Sequence, residues 1–327
     1  MDNVRRINYF IVIIFLIVTA YSCAATSGQG MANVSGSGTY ERRTAADKRH
    51  ISSFPDEGDN KGSSGGDGNS LGSNTVITDS ETLGDTYCRQ GLYYKAFSEY
   101  EKALKEDPHN KVLIYKKGLV LFNGKLYEDA VNTFKEVINI DPNHALSLLM
   151  IGQAYFYLED YYSAEGYLKQ ASSIDPTLWK AYNLMGVIHD YRNEYREAIE
   201  DYTMSIARSP DNGLLYHNLG LAYFMSGQYE KAVRSYNQAI SSNYITIKTY
   251  NNMALALVKT GRYDEAFDAF VKGGRRASAY NNMGCIFMEE GDFKRAIFYF
   301  EMALEASPTY YALADENLKK AKRMMRQ

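Results

Sequence analysis

The feature that most constrains this chain is a 34-residue period that runs from residue 77 to residue 310. Small residues mark each period: Gly84, Gly118, Gly152, Gly186 and Gly220, then Ala254 in step and Gly284 four residues early. Twelve residues after each of these stands an alanine: Ala96, Ala130, Ala164, Ala198, Ala232, Ala266 and Ala296. An aromatic residue precedes each alanine by three positions, and a proline closes most periods. Such a register predicts one structural unit that repeats along the chain.

Each period has the pattern of two amphipathic helices joined by a short turn. Large apolar residues recur at steps of three and four, as in residues 214–227 and again in residues 228–241. Where two such helices cross most closely, only a hydrogen or a methyl group fits, and residues such as Gly220 and Ala232 provide it. One pair cannot bury its own apolar face, so successive pairs are predicted to stack into a continuous core.

This period and pattern resemble the tetratricopeptide repeat. The resemblance implies an all-α fold, a right-handed superhelical solenoid of seven repeats followed by a C-terminal capping helix over 311–327. The predicted repeats are 77–110, 111–144, 145–178, 179–212, 213–246, 247–276 and 277–310. The resemblance also implies a concave groove that is lined mainly by the first helix of each repeat and that binds protein partners.

The amino terminus predicts export from the cytoplasm. Arg5 and Arg6 precede an apolar run over 9–20, which is the pattern of a signal peptide over 1–22. The run is shorter than the roughly 18 residues that span a bilayer, so an uncleaved membrane anchor is the weaker alternative. Small residues follow the run, as a cleavage site requires.

Cys23 and its neighbours predict a lipid anchor. The sequence Ala-Tyr-Ser-Cys at 20–23 resembles a bacterial lipobox, in which the cysteine is acylated, for example with palmitate. The alternative is ordinary cleavage beside an unmodified Cys23. Ala24 follows the cysteine, which by the same resemblance favours the outer membrane, on its periplasmic or its surface side. Residues 23–76 are rich in Gly and Ser and poor in large apolar residues, which predicts a disordered, lipidated linker.

Composition and motifs favour no enzymatic, cofactor or nucleic-acid function. The net charge is −3 and the five histidines are scattered, so neither a basic stripe nor a metal-ligand spacing is present in the repeats. One basic run, Lys319 to Arg326, is expected to be the solvated end of the last helix. Cys88 and Cys285 lie in the first and last repeats, and we expect them to be unpaired. No cofactor and no metal are predicted.

The candidate binding residues lie on the first helices, at places that the resemblance assigns to the groove. The apolar candidates are Tyr115, Leu119, Phe122, Leu149, Met150 and Phe156, with Val112 and Leu146 at the second place of their repeats. The polar candidates are Asn183, Asn218, Lys248, Asn251, Asn252, Asn281 and Asn282. Asparagine donates and accepts hydrogen bonds, so Asn218, Asn252 and Asn282 could hold the backbone of an extended peptide. A common residue preference of the repeat explains them equally well.

These features together predict a non-enzymatic scaffold in the bacterial envelope that binds a peptide or helix of a protein partner. The apolar half of the groove could receive an amphipathic helix. Self-association or the linker of the same chain could cover that half instead. Two other functions stay open: a surface adhesin that contacts a host, and a ligand-binding or pilotin-like accessory subunit of an envelope transport or secretion system.

Overall fold

A computed structural model describes residues 79–327, and within them all regular structure is helical. The predicted all-α fold is confirmed. The predicted signal peptide, the lipidation site Cys23 and the linker over 23–76 lie outside the described residues. Among the helices that are described, none is both long enough and apolar enough to cross a lipid bilayer.

The described chain divides into two compact helical blocks, an N-terminal block over 79–209 and a C-terminal block over 210–327. The helices of the N-terminal block are α1 Ser80–Arg89, α2 Tyr93–Glu106, α3 Lys111–Asn123, α4 Tyr127–Ile140, α5 Ala145–Tyr157, α6 Tyr161–Ile174, α7 Trp179–Tyr191 and α8 Tyr195–Ile206. Those of the C-terminal block are α9 Gly213–Met225, α10 Tyr229–Ser241, α11 Ile247–Lys259, α12 Tyr263–Gly273, α13 Arg276–Glu289, α14 Phe293–Glu305 and α15 Ala312–Met324.

Local signals start and end these helices. Asn110 caps α3, because its side-chain oxygen accepts hydrogen bonds from the backbone N–H groups of Val112 and Leu113. The turn inside a pair contains one residue of positive φ, which is Lys125 after α3 and Glu159 after α5. A left-handed residue ends a helix because its own N–H and that of the next residue donate to the last helix carbonyls, as those of Lys125 and Leu126 do to Phe122 and Leu121. The chain then reverses and begins the second helix of the pair.

In the N-terminal block, glycine on a first helix faces a large side chain on its partner helix. The ring of Phe134 covers Gly118, and a β-carbon at that glycine would lie 2.6 Å from Cε1 of the ring. Tyr202 covers Gly186 in the same way, and Leu168 covers Gly152. In these three pairs the two helices therefore approach too closely at the glycine for any side chain.

The C-terminal block repeats this packing, with Tyr236 over Gly220 and Phe300 over Gly284. Its last helix, α15, packs on α14 and buries Ala314, Leu318 and Ala321. The shortened sixth period appears as a two-residue connection, because α12 ends at Gly273 and α13 begins at Arg276.

Candidate functional site

The apolar candidates on α3 and α5 form a partly exposed surface in the N-terminal block. Tyr115, Leu119, Phe122 and Met150 are half-buried and pack against the core from the first helices. The ring of Tyr115 lies 5.5 Å from that of Phe134, measured between centroids. One side of each of these residues therefore packs against the core, and the other side is accessible to a ligand.

Three candidate residues are buried, which corrects their assignment to the exposed lining. Leu149 and Phe156 belong to the core around Leu168 and Ala181, and Asn281 is enclosed beneath α15. A first helix packs against its partner and against the next pair along the chain. Both neighbours cover its flanks, so a place that looks open by register can be closed.

Two aliphatic side chains on the first helices of the N-terminal block are exposed instead. Val112 is the second residue of α3 and exposes 52% of its surface, and Leu146 at the same place on α5 exposes 45%. Both stand at the second place of their repeats, which the register assigned to the open face together with the place of the buried Leu149. Together with Leu119 and Met150 they offer apolar area to a partner.

An ion cluster joins α1 to α3 in the same block. The Lys116 ammonium donates hydrogen bonds to Glu81 and Asp85, each with an N–O distance of 2.7 Å. Burial opposes the charge of Lys116, but these two carboxylates outweigh it and raise the pKa of the ammonium. Asp85 also accepts a hydrogen bond from the Tyr100 hydroxyl. The lysine is thus held in place by carboxylates of its own chain.

The polar candidates of the C-terminal block occupy corresponding places on successive first helices. Asn218, Asn252 and Asn282 are half-buried on α9, α11 and α13, and Lys248 is exposed at the start of α11. Asn251 is also half-buried. Its side-chain oxygen lies close to Gly273, because a β-carbon added at that glycine would be 2.8 Å from this oxygen. In the N-terminal block, Asn183 is half-buried on α7. Amide groups at such places can donate and accept hydrogen bonds.

A neutral histidine lies beside this amide surface. His217 Nδ1 is 3.0 Å from the hydroxyl oxygen of Thr249, and the ring packs against Tyr236 and Tyr244. Burial lowers the pKa of His217 to about 4, with a smaller effect from Lys248. The imidazole is therefore uncharged at neutral pH, and Lys248 supplies the local positive charge.

Within residues 79–327, no group of three or more His, Cys, Asp or Glu side chains is placed to hold a metal ion. Neither Cys88 nor Cys285 forms a disulfide within residues 79–327. Cys285 lies buried in the core of the C-terminal block.

Sequence comparison identifies the repeat family. Tetratricopeptide repeat profiles match residues 113–144, 145–178, 214–243, 246–272 and 277–310. These matches cover five of the seven predicted repeats, so the count of seven stays a prediction. No curated protein sequence matches the chain significantly.

Solved structures show the same fold. The C-terminal part of a repeat-containing protein from Cytophaga hutchinsonii has a TM-score of 0.58 at 15% identity, covering 72% of this chain and 98% of that one. A tetratricopeptide repeat protein from Parabacteroides merdae has a TM-score of 0.51 at 17% identity, covering 74% and 97%. MamA is 27% identical over 51% of this chain and 94% of that one, with a TM-score of 0.46. This chain is a tetratricopeptide repeat protein, and its fold supports a role as a protein–protein interaction scaffold.

Proposed function

We propose that the exposed faces of the first helices bind an extended segment or a helix of a protein partner. The observation that carries this proposal is the pair Val112 and Leu146, which are exposed at equivalent places over the half-buried Leu119 and Met150. Apolar side chains in a row along successive helices suit the apolar face of an amphipathic helix. Proteins of this repeat family are typically scaffolds without enzymatic activity.

The amide groups of the C-terminal block would serve the same partner differently. Asn218, Asn252 and Asn282 can donate and accept hydrogen bonds with the backbone of an extended peptide, whatever its sequence. Lys248, the exposed cation beside them, would favour a partner segment that carries a carboxylate. We infer a partner with an apolar anchor and an acidic extended stretch.

Photo-crosslinking in cells tests the binding face. A photoreactive amino acid at Val112 or Leu146 should capture a defined partner, which mass spectrometry identifies. Ile140 at the end of α4 is the matched control, because it is 44% exposed in the same block but lies on a second helix. Capture of the same proteins from Ile140 as from Val112 would contradict the proposal. The variants Val112→Asp and Leu146→Asp should then weaken binding of the identified partner without changing helical content.

The tether is a separate part of the proposal. We infer that acylated Cys23 anchors the scaffold to the bacterial envelope, at the outer membrane, with residues 24–76 as a flexible spacer. Several acyl chains hold a protein stably at a membrane, whereas one chain binds only marginally. The Cys23→Ser variant should leave the membrane fraction, and the wild-type protein should carry acyl mass on its first mature residue. An unmodified Cys23 in the mature protein would refute the anchor.

A further inference from the structure

A row of tyrosines with acidic neighbours lies on the turn side of the N-terminal block. This surface, the tyrosine edge, comprises Tyr157, Tyr161, Tyr162, Tyr191, Glu159 and Asp160. Tyr161 stacks on Tyr191 with ring centroids 5.4 Å apart and planes at 15°. Tyr157 and Tyr191 are partly exposed, and Tyr162 exposes 86% of its surface. Aromatic area is thus open to solvent at the turn between α5 and α6.

The carboxylates of the tyrosine edge lie close to these rings. The pKa of Tyr161 is raised to about 12 by burial, by Tyr191 and by the negative charge of Glu159. Glu159 also raises the pKa of Tyr191, after burial. Neither Glu159 nor Asp160 forms a salt bridge with another residue of the described range. The edge therefore combines exposed aromatic faces with unneutralised negative charge, which suits a partner that carries cations.

The end of α15 in the C-terminal block offers the complementary chemistry. Residues 319–327 contain five basic residues and no acidic one. Lys319 pairs with Asp315 and Lys322 pairs with Glu301, in each case through the lysine Nζ. Lys320, Arg323 and Arg326 form no salt bridge within the described residues, and all three are exposed. We name these three cations, with the exposed Met324 and Met325, the basic face.

The two surfaces match in charge and in side-chain type. Arginine binds over aromatic rings, and methionine sulfur makes favourable contacts with ring edges. The chain already uses such contacts internally, with the Arg208 guanidinium 4.1 Å from the Tyr182 ring centroid and that of Arg295 4.0 Å from the Phe287 centroid. Acidic residues outnumber basic ones in the N-terminal block, whereas the reverse holds in the C-terminal block. Attraction between unlike blocks of two molecules follows.

We propose that the basic face of one copy of this chain docks on the tyrosine edge of a second copy. Every copy carries both surfaces, so the contact is heterologous and can extend from molecule to molecule. The contact is electrostatic and lies at exposed side chains, so it is weak and sensitive to salt. A high local concentration, such as that of proteins tethered to one membrane, would favour it.

Charge reversal on both surfaces tests this contact. Glu159→Lys places a cation in the tyrosine edge, and the left-handed turn tolerates it, since Lys125 occupies the equivalent turn after α3 with a φ of 63°. Lys320→Glu with Arg323→Glu reverses the basic face. Glu136→Lys and Arg234→Glu are the matched controls, because they make the same charge changes at exposed sites on α4 and α10.

Sedimentation velocity of the full chain and zero-length carboxylate–amine crosslinking are the measurements. The wild-type protein should self-associate with increasing concentration and dissociate at about 0.5 M NaCl. Each charge reversal should lower the yield of crosslinked dimer about tenfold, as expected for lost and reversed exposed ion pairs. The controls should leave the yield unchanged. An equimolar mixture of the two reversed variants should restore association, with crosslinks between the opposite surfaces.

Three results would overturn the proposal. One is a wild-type protein that stays monomeric at every concentration, and another is association that neither reversal changes. The third is a monomeric wild-type protein that binds vesicles of anionic lipid and loses this binding with Lys320→Glu and Arg323→Glu. In that last case the basic face would contact a lipid surface instead of a second copy.

Discussion

Adding one methyl group at Gly118 should destabilise the N-terminal block, although alanine is the better helix former. The β-carbon of alanine would lie 2.6 Å from Cε1 and 2.8 Å from Cδ1 of Phe134. Carbon atoms in van der Waals contact are about 3.5–4.0 Å apart. The ring must therefore move by about 1 Å, and Phe134 is fully buried, so its neighbours must move as well.

The magnitude follows from two opposing effects. Overpacking a well-packed core costs about 1–3 kcal/mol, whereas replacing glycine by alanine inside a helix stabilises by about 1 kcal/mol. Gly166 in α6 provides the control, because no atom lies within 4 Å of the β-carbon that alanine would add there. Gly166→Ala should therefore raise the free energy of unfolding by about 1 kcal/mol. The difference between the two variants isolates the packing cost of about 1–3 kcal/mol.

Urea denaturation followed by circular dichroism at 222 nm measures both variants against the wild type. Gly118→Ala should unfold at a lower urea concentration than Gly166→Ala, with an unchanged dependence of the free energy on urea. If Gly118→Ala proves as stable as Gly166→Ala, close helix approach is not the reason for glycine at this place. If Gly186→Ala, beneath Tyr202, also proves as stable as Gly166→Ala, close helix approach does not explain the recurring glycine at this place of the repeat.

Three further predictions concern buried groups. Asp190 has its pKa raised to about 6 by burial, against a hydrogen bond from Tyr202, and its second oxygen has no partner. A carboxyl whose pKa is higher in the folded state than in the unfolded state destabilises the fold as pH rises between the two pKa values. Relative to the wild type, the free energy of unfolding of Asp190→Asn should therefore increase between pH 4 and 6, by up to about 3 kcal/mol, and stay higher above pH 6. Paired urea titrations at several pH values measure this difference. Ala232→Arg puts a cation where a fully buried methyl fits, and should cost several kcal/mol, seen as a large fall in Tm. Asn317→Ala removes the 3.0 Å hydrogen bond to the Asn281 side-chain oxygen and should cost about 1–3 kcal/mol, with faster proteolysis of α15 if that bond secures the helix.

Much of the fold could be predicted from the sequence because its period encodes a local packing rule. Gly118 and Phe134 lie at a fixed distance in sequence within one helix pair, so the contact between them depends on few other residues. A cap such as Asn110 is local in the same way, since it acts on the first turn of its own helix.

The exposure of the candidate site could not be predicted to the same degree. Leu149 and Leu146 lie three residues apart on α5, yet one is buried and the other is exposed. Their positions in the repeat assigned both residues to the open face. Position along one helix does not show which side chains a neighbouring helix covers. Asn281 was expected to line the groove, but it is buried, and its side-chain oxygen accepts a hydrogen bond from Asn317 of the final helix.

The amino-acid sequence by itself determined that this chain forms paired helices, where each pair begins and which small residues stand at the crossings. Only the tertiary structure decided which flanks of the first helices stay open, which tyrosines meet at the turns and which carboxylates lack a cation. The physical reason is the range of the interactions. Helix formation and pairing depend on residues within about one period, whereas burial depends on how successive pairs pack against one another.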